Sequence, residues 1–166
     1  MPSPASRTSK AKPTAPKAQD AIALLKADHR EAEGVFEQFE KARSPEKKGE
    51  LAMKVCKALR VHMTIEEEIF YPAFKEATGD DDLNNEAIVE HASARNLIDE
   101  IEAMEPDDEF YDAKVKVLSE QIEHHVKEEE EPKKGMFAEA RASDMDLDEL
   151  GAQMAARKAE LMAAAN

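Results

Sequence analysis

Tryptophan is absent from this chain, cysteine occurs once and glycine five times, and no apolar run approaches the roughly eighteen residues that a membrane span needs. Each scarcity excludes something. The lone Cys56 has no partner for an internal disulfide; beside Val55 and close to Leu59 on an expected helix, it reads as a small buried hydrophobe and not as a redox group. So few glycines, with only scattered prolines, leave too little turn chemistry for an all-β fold. The N-terminus lacks the apolar stretch of a secretory signal, so the expected location is the cytoplasm. Positive charge is scarce too. Lys and Arg number 23 against 37 Asp and Glu, a formal net charge of −14. Such a chain repels a nucleic-acid backbone, whose binding depends on basic side chains releasing counterions, and suits solubility and the attraction of cations.

What remains is helical material. Ala, Glu, Lys and Leu dominate the 166 residues, and apolar residues recur at steps of three and four, so the expectation is a single all-α domain. Residues 1–18 are rich in Pro, Ser, Thr, Lys and Ala and bury too little to offset the entropy of ordering. They read as a disordered basic tail whose Arg7, Lys10, Lys12 and Lys17 serve solubility ahead of any acidic partner. Residues 19–135 carry four apolar stripes. Ile22, Leu25, His29, Ala32, Phe36 and Phe39 share one face of a first helix from Asp20 to about Ala42. Ser44 and Pro45 open a second through Leu51, Val55, Leu59, His62, Glu66 and Ile69 to about Ala77, with Pro72 expected to bend or break it. Ala87, His91, Ala94, Ile98 and Ile101 trace a third, and Val115, Leu118, Ile122, His125 and Glu129 a fourth that Pro132 and Gly135 end. Short connections make this an up-down-up-down four-helix bundle. Residues 136–166 form an extension whose last helix, from about Asp146 to Met162 with Ser143 as a candidate cap, packs on the bundle or mediates a homodimer.

Each of the four stripes carries a histidine: His29, His62, His91 and His125. Two have a glutamate one turn on, Glu66 after His62 and Glu129 after His125, a spacing that stacks the side chains about 5–6 Å apart at Cβ. His29 and His91 are 62 residues apart, and both the pair His62 and His125 and the pair Glu66 and Glu129 are 63 apart, so the chain reads as a duplicated helical hairpin with pseudo-two-fold symmetry. A single core-facing histidine is usually a hydrogen-bonded packing residue. Four, with two carboxylates in register, would bury several titratable groups at several kcal/mol each unless they were paired or coordinated. A pair of metal ions supplies that compensation. Imidazole with carboxylate suits iron, manganese or zinc, and the lack of thiolate donors argues against structural zinc.

The run His62, Glu66, Glu67, Glu68, Phe70, Tyr71, Pro72 resembles the second-helix signature of the hemerythrin-like HHE domains, and His125, Glu129, Glu130 the fourth-helix copy. Asp28, His29 and Arg30 resemble the first-helix motif, and Glu90 and His91 the third, so the resemblance covers about residues 20–135. It implies a bacterial-type protein holding two non-haem irons, carboxylate-bridged, through His29, His62, Glu66, His91, His125 and Glu129, with room for an oxo or hydroxo bridge. Oxygen carriers of that group have a second histidine four residues after the third-helix ligand, where this chain has Arg95, and a final aspartate five residues after a histidine, where this chain offers Glu129 at four and Glu130 at five. These departures point away from oxygen transport and toward the wider group's stress, nitric-oxide and peroxide proteins.

Smaller expectations surround the six. Glu33 and Arg95, each four residues after a histidine, are expected to face each other as an ion pair, with Glu33 as an extra ligand the alternative. Glu130 is a candidate for the surrounding shell, His124 is expected exposed, and Tyr71 is read as helix-end packing above Pro72, with a hydrogen bond to the site as the alternative. Three functions then compete: a di-iron protein that binds or turns over O2, nitric oxide or peroxide; a sensor or store whose occupancy controls stability or partner contacts; and a bundle with a vestigial site.

Overall fold

A computed structural model describes residues 18–165, so all but the last residue of the basic tail lies outside the described residues. Helix α1 (Ala21–Lys41) starts where Asp20 accepts the Ala23 N–H at 2.8 Å. Helix α2 (Pro45–Ile65) starts at Ser44, which accepts the Lys47 N–H at 3.1 Å, with the proline in the first turn where its missing donor costs nothing. A five-residue π-turn (Glu66–Phe70) follows, then α3 (Tyr71–Thr78), which ends at Gly79 with φ +69°, a backbone state open to glycine at no steric cost. Helix α4 (Asp81–Glu102) is capped by Asp80, and α5 (Tyr111–Glu130) completes the four-helix bundle. Among the described residues no helix is long and apolar enough to cross a membrane.

Pro72 does not end the helical run, which continues through the π-turn into α3. Lacking an N–H, it makes no bond back to the carbonyl four residues earlier, and the widened turn just before it closes instead through the Tyr71 N–H to the Glu66 carbonyl, five residues back. In a regular helix a residue five positions on points some 140° away. The wider turn brings Tyr71 back to the face that carries Glu66, as their hydrogen bond shows.

The bundle has two apolar cores. At one end Phe36, Phe39, Leu51, Val55, Cys56, Leu59, Ile98, Ile101, Val115 and Leu118 pack together. At the other Ile22, Leu25, Ile65, Phe70, Phe74, Met136, Phe137 and Met154 do so. Between them lies one polar layer containing His29, His62, Glu66, His91, His125 and Glu129, all buried.

The region after α5 differs from expectation. A short helix, α6 (Met136–Ala142), precedes the last one and puts Met136 and Phe137 into the second core. Ser143 closes α6, its hydroxyl donating to the Ala140 carbonyl at 2.6 Å. Helix α7 (Leu147–Ala164) is capped instead by Asp146, whose shorter reach to the backbone accepts the Glu149 N–H at 3.1 Å. α7 packs on α1, α2 and the π-turn. Gly151 is what lets it sit so close: a Cβ there would fall 2.5 Å from the Gln19 carbonyl oxygen and 2.8 Å from the Ala21 nitrogen. Replacing Gly151 by Ala is therefore expected to lift α7 and cost about 1–3 kcal/mol. An unchanged urea midpoint would mean that α7 is not seated there.

Candidate metal centre

The polar layer brings all six expected ligands together. One atom each from His29, His62, Glu66 and Glu129 forms a set within 4.8 Å of one another, and Glu66, His91 and His125 form a second. Each carboxylate faces both ways. Glu66 Oε1 lies 3.0 Å from His62 Nε2 while its Oε2 lies 3.0 Å from His91 Nε2. Glu129 Oε2 lies 3.3 Å from His29 Nε2 while its Oε1 lies 3.1 Å from His125 Nε2. Within each half the imidazoles meet at their Nε2 atoms, 3.2 Å apart for His29 and His62 and 3.2 Å for His91 and His125.

Glu66 Oε1 and Glu129 Oε2 are buried without a directed hydrogen bond despite the nearby imidazoles. Imidazole Nε2 atoms and carboxylate oxygens that converge on a point in this way are arranged for a common cation. The chemistry of the set, four neutral-capable imidazoles and two bridging carboxylates, fits a pair of divalent or trivalent ions.

The outward Nδ1 atoms are held by a shell that follows the same internal symmetry. Asp28 Oδ2 lies 3.0 Å from His62 Nδ1, and Glu90 Oε1 lies 3.0 Å from His125 Nδ1. Glu130 Oε2 lies 3.0 Å from His29 Nδ1, and Glu67 Oε2 lies 3.7 Å from His91 Nδ1. Such partners hold a proton on Nδ1, so that a ring deprotonated for metal binding would present its Nε2 lone pair inward. Cations brace three of the four carboxylates: Lys158 of α7 on Asp28 at 2.5 Å, Arg30 on Glu130, and a two-pronged Arg95 on Glu67. Phe137 of α6 stacks on His29 with ring centroids 5.8 Å apart.

Two expectations fail here. Glu33 does not meet Arg95; it is 43 % exposed and pairs with Arg30 at 3.3 Å, one turn away on the same helix. Arg95 is taken by Glu67, which the π-turn segment offers from the neighbouring helix, so Glu33 is neither its partner nor near the donors. Tyr71 is not simple packing either. Its hydroxyl lies 2.8 Å from Glu66 Oε2 and 2.7 Å from Glu129 Oε1, inside the layer. Glu130 belongs to the surrounding shell as expected, and His124 is exposed beside Glu128. Asp28 and Glu90 were recognised only as parts of motifs. Their signal was an acidic residue directly before the first histidine of each hairpin, at the same 62-residue spacing as His29 and His91.

The buried charges reinforce one another. Burial pulls His62 down, but the Glu66 and Asp28 carboxylates outweigh it and hold the imidazolium at about 10. Burial pushes Glu129 up and Glu66 adds to that, yet His125 and His29 bring it to about 2. His125 is raised well above its usual range, burial again being outweighed by Glu129. Burial raises Tyr71, and both carboxylates raise it further. Burial and Glu102 push Cys56 up to about 12, which makes it an inert thiol of the core.

Comparison with known proteins gives the layer its family. The model of the hemerythrin HHE cation binding domain matches residues 20–137. The chain belongs to that family. A crystal structure of a hemerythrin HHE cation binding domain-containing protein from Mycobacterium kansasii shares the fold, with a TM-score of 0.74, 24 % identity, and coverage of 89 % of this chain and 90 % of that one. A curated relative, a DNA nickase of Nostoc sp. (strain PCC 7120), is 26 % identical over 107 residues, 64 % of this chain but only 30 % of its own length.

The charge pairing sets a pH dependence. For His62, whose value rises from 6.5 unfolded to about 10 folded, the stabilisation is complete below 6.5 and lost as pH rises through 10. For Glu129, which falls from 4.5 to about 2, it is present above 4.5 and lost as pH falls through 2. Metal-free protein should thus melt highest between pH 4.5 and 6.5 and lose stability above, while the loaded protein gains relative to it as pH rises because the histidines must shed protons to bind. Melting curves of metal-free protein that climb between pH 6.5 and 9 would contradict this pairing.

Proposed function

We propose that this chain is a di-iron protein whose centre binds, and in the presence of a suitable substrate turns over, a small ligand of the size of O2, nitric oxide or peroxide. The observation that carries this reading is a small, partly open cavity of about 50 Å³ against the histidine layer. All four histidines line it, and Ala32, Leu59, Met63, Ile122 and Val126 give it apolar walls. That space suits one or two waters or a molecule of two or a few atoms.

His29 and His62 would hold one ion and His91 and His125 the other, with Glu66 and Glu129 bridging. Nitrogen and oxygen donors without thiolate favour iron, with manganese or zinc behind it. Bound there, iron would supply one-electron redox chemistry and an open coordination position. The chain's own residues do the rest. Asp28, Glu90, Glu130 and Glu67 orient the imidazoles, the apolar walls exclude bulk water, and the Tyr71 hydroxyl carries a proton within reach of both carboxylates.

Sensing is the second reading, favoured by the attachment of α7 to the centre: Lys158 bonds Asp28, and Arg157 bonds Glu68 beside the bridging glutamate. Occupancy would then govern how firmly the last helix is held. DNA nicking, the activity in the name of the cyanobacterial relative, has no support in a chain of net charge −14 that matches under a third of that protein.

Replacing Ala32 by Leu should fill the cavity, leave two metals bound, and weaken nitric-oxide binding about tenfold or more, read from the change in the iron absorption spectrum. Unaltered binding would place the ligand elsewhere. Rapid loss of added peroxide by the loaded protein supports turnover; a large metal-dependent shift in α7 protection without turnover supports sensing.

A further inference from the structure

We propose that the two metal positions are unequal and fill in a fixed order: the His29/His62 position first, braced by Lys158 of α7, and the His91/His125 position second, after Tyr71 is displaced from it. This inference rests on the reading of the layer as a two-metal centre.

The donors of the two halves match in type but not in state. In the His29/His62 half the available oxygens are Glu66 Oε1 and Glu129 Oε2, the same two atoms that are buried without a hydrogen-bond partner. The groups that face them are His62 Nε2 and His29 Nε2, which would themselves bind the cation once deprotonated, so no further side chain has to leave. In the other half the oxygens are Glu66 Oε2 and Glu129 Oε1, and the Tyr71 hydroxyl contacts both, at 2.8 and 2.7 Å. The same hydroxyl lies 3.1 Å from His91 Nε2 and 3.4 Å from His125 Nε2. One oxygen within 3.4 Å of all four donors stands where those donors converge. Its single proton serves one carboxylate at a time, so it is a partial stand-in for a cation and must give way to one.

The shell repeats the inequality. Lys158 fixes Asp28, and Asp28 fixes His62, a two-link brace that reaches the first position from a helix outside the span matched by the family model. Beside the symmetric carboxylate, Glu90, stand the exposed His124, 3.6 Å away, and Glu128, which crowds it. Lys158 is thus a positioning residue for the first position; the second is braced through Arg95 on Glu67, whose carboxylate stands farther from its histidine, 3.7 Å from His91 Nδ1.

The test is a titration of the full metal-free chain with cobalt(II), followed by calorimetry and visible absorption. The expected result is two equivalents in two resolved steps. His91→Ala should delete only the weaker step. Tyr71→Phe, which keeps the packing and removes the hydroxyl, should tighten the weaker step about ten- to a hundredfold, the worth of a hydrogen bond to a charged group. Lys158→Met should weaken the tighter step about tenfold and leave the other alone, with Lys158→Arg restoring it. Two indistinguishable steps in the parent chain would overturn the order. A weaker second step in Tyr71→Phe would make Tyr71 a ligand and overturn the displacement. An unaffected first step in Lys158→Met, with two equivalents still bound, would overturn the role of α7 alone. A parent chain that takes up no cobalt would sink the two-metal reading itself.

Discussion

Six ionisable side chains share one buried layer, and the whole bundle has to accommodate that charge. Removing carboxylates and imidazoles from water costs several kcal/mol per charged group unless partners replace the lost solvation. In the metal-free state the compensation comes from within: histidines held as cations, carboxylates held as anions, one tyrosine proton, and an outer ring of acids braced by Lys158, Arg30 and Arg95. Two carboxylate oxygens still lack a partner. The apolar cores on either side of the layer set its dielectric, hold the helices at fixed spacing, and leave the small cavity beside the histidines. Fold and site are therefore one construction.

Internal repetition explains much of its economy. Glu66 and Glu129 each look toward both halves, and the acidic residues outside the ring repeat at nearly constant spacing: Asp28 with Glu90, Glu67 with Glu130. Departures from the repeat carry the specific chemistry. Tyr71 enters one half only, Lys158 braces the other, and Phe137 covers His29 from a helix that the repeat does not contain. A symmetric scaffold thus gives its two sets of donors different surroundings.

The four histidines, the two glutamates and the helices bearing them were legible because helical periodicity and the 62- and 63-residue spacings are properties of the linear chain. The π-turn was not. Pro72 signalled a disturbance, but whether it bends, breaks or widens a helix depends on what the neighbouring turns can bury, and only the widened turn delivers Tyr71 to Glu66. Glu33 and Arg95 misled because equal spacing from a histidine sets which side of a helix they lie on and not which neighbour is nearest; Arg30 and Glu67 were nearer. Contacts such as Lys158 with Asp28 join residues 130 apart, and no local pattern records them. Ser143 and Asp146 were equally good caps by type, and the geometry of the short helix before them decided between them.

The most direct measurement is the metal content of aerobically purified protein, determined by elemental analysis together with its optical spectrum, for the parent chain and for Glu66→Ala. Two irons per chain with near-ultraviolet iron absorption, both largely lost in the variant, is the result this account predicts, since Glu66 would bridge both positions. Zinc, or no metal, in a parent chain that melts at the same temperature before and after chelation would contradict it and leave the buried histidines as packing.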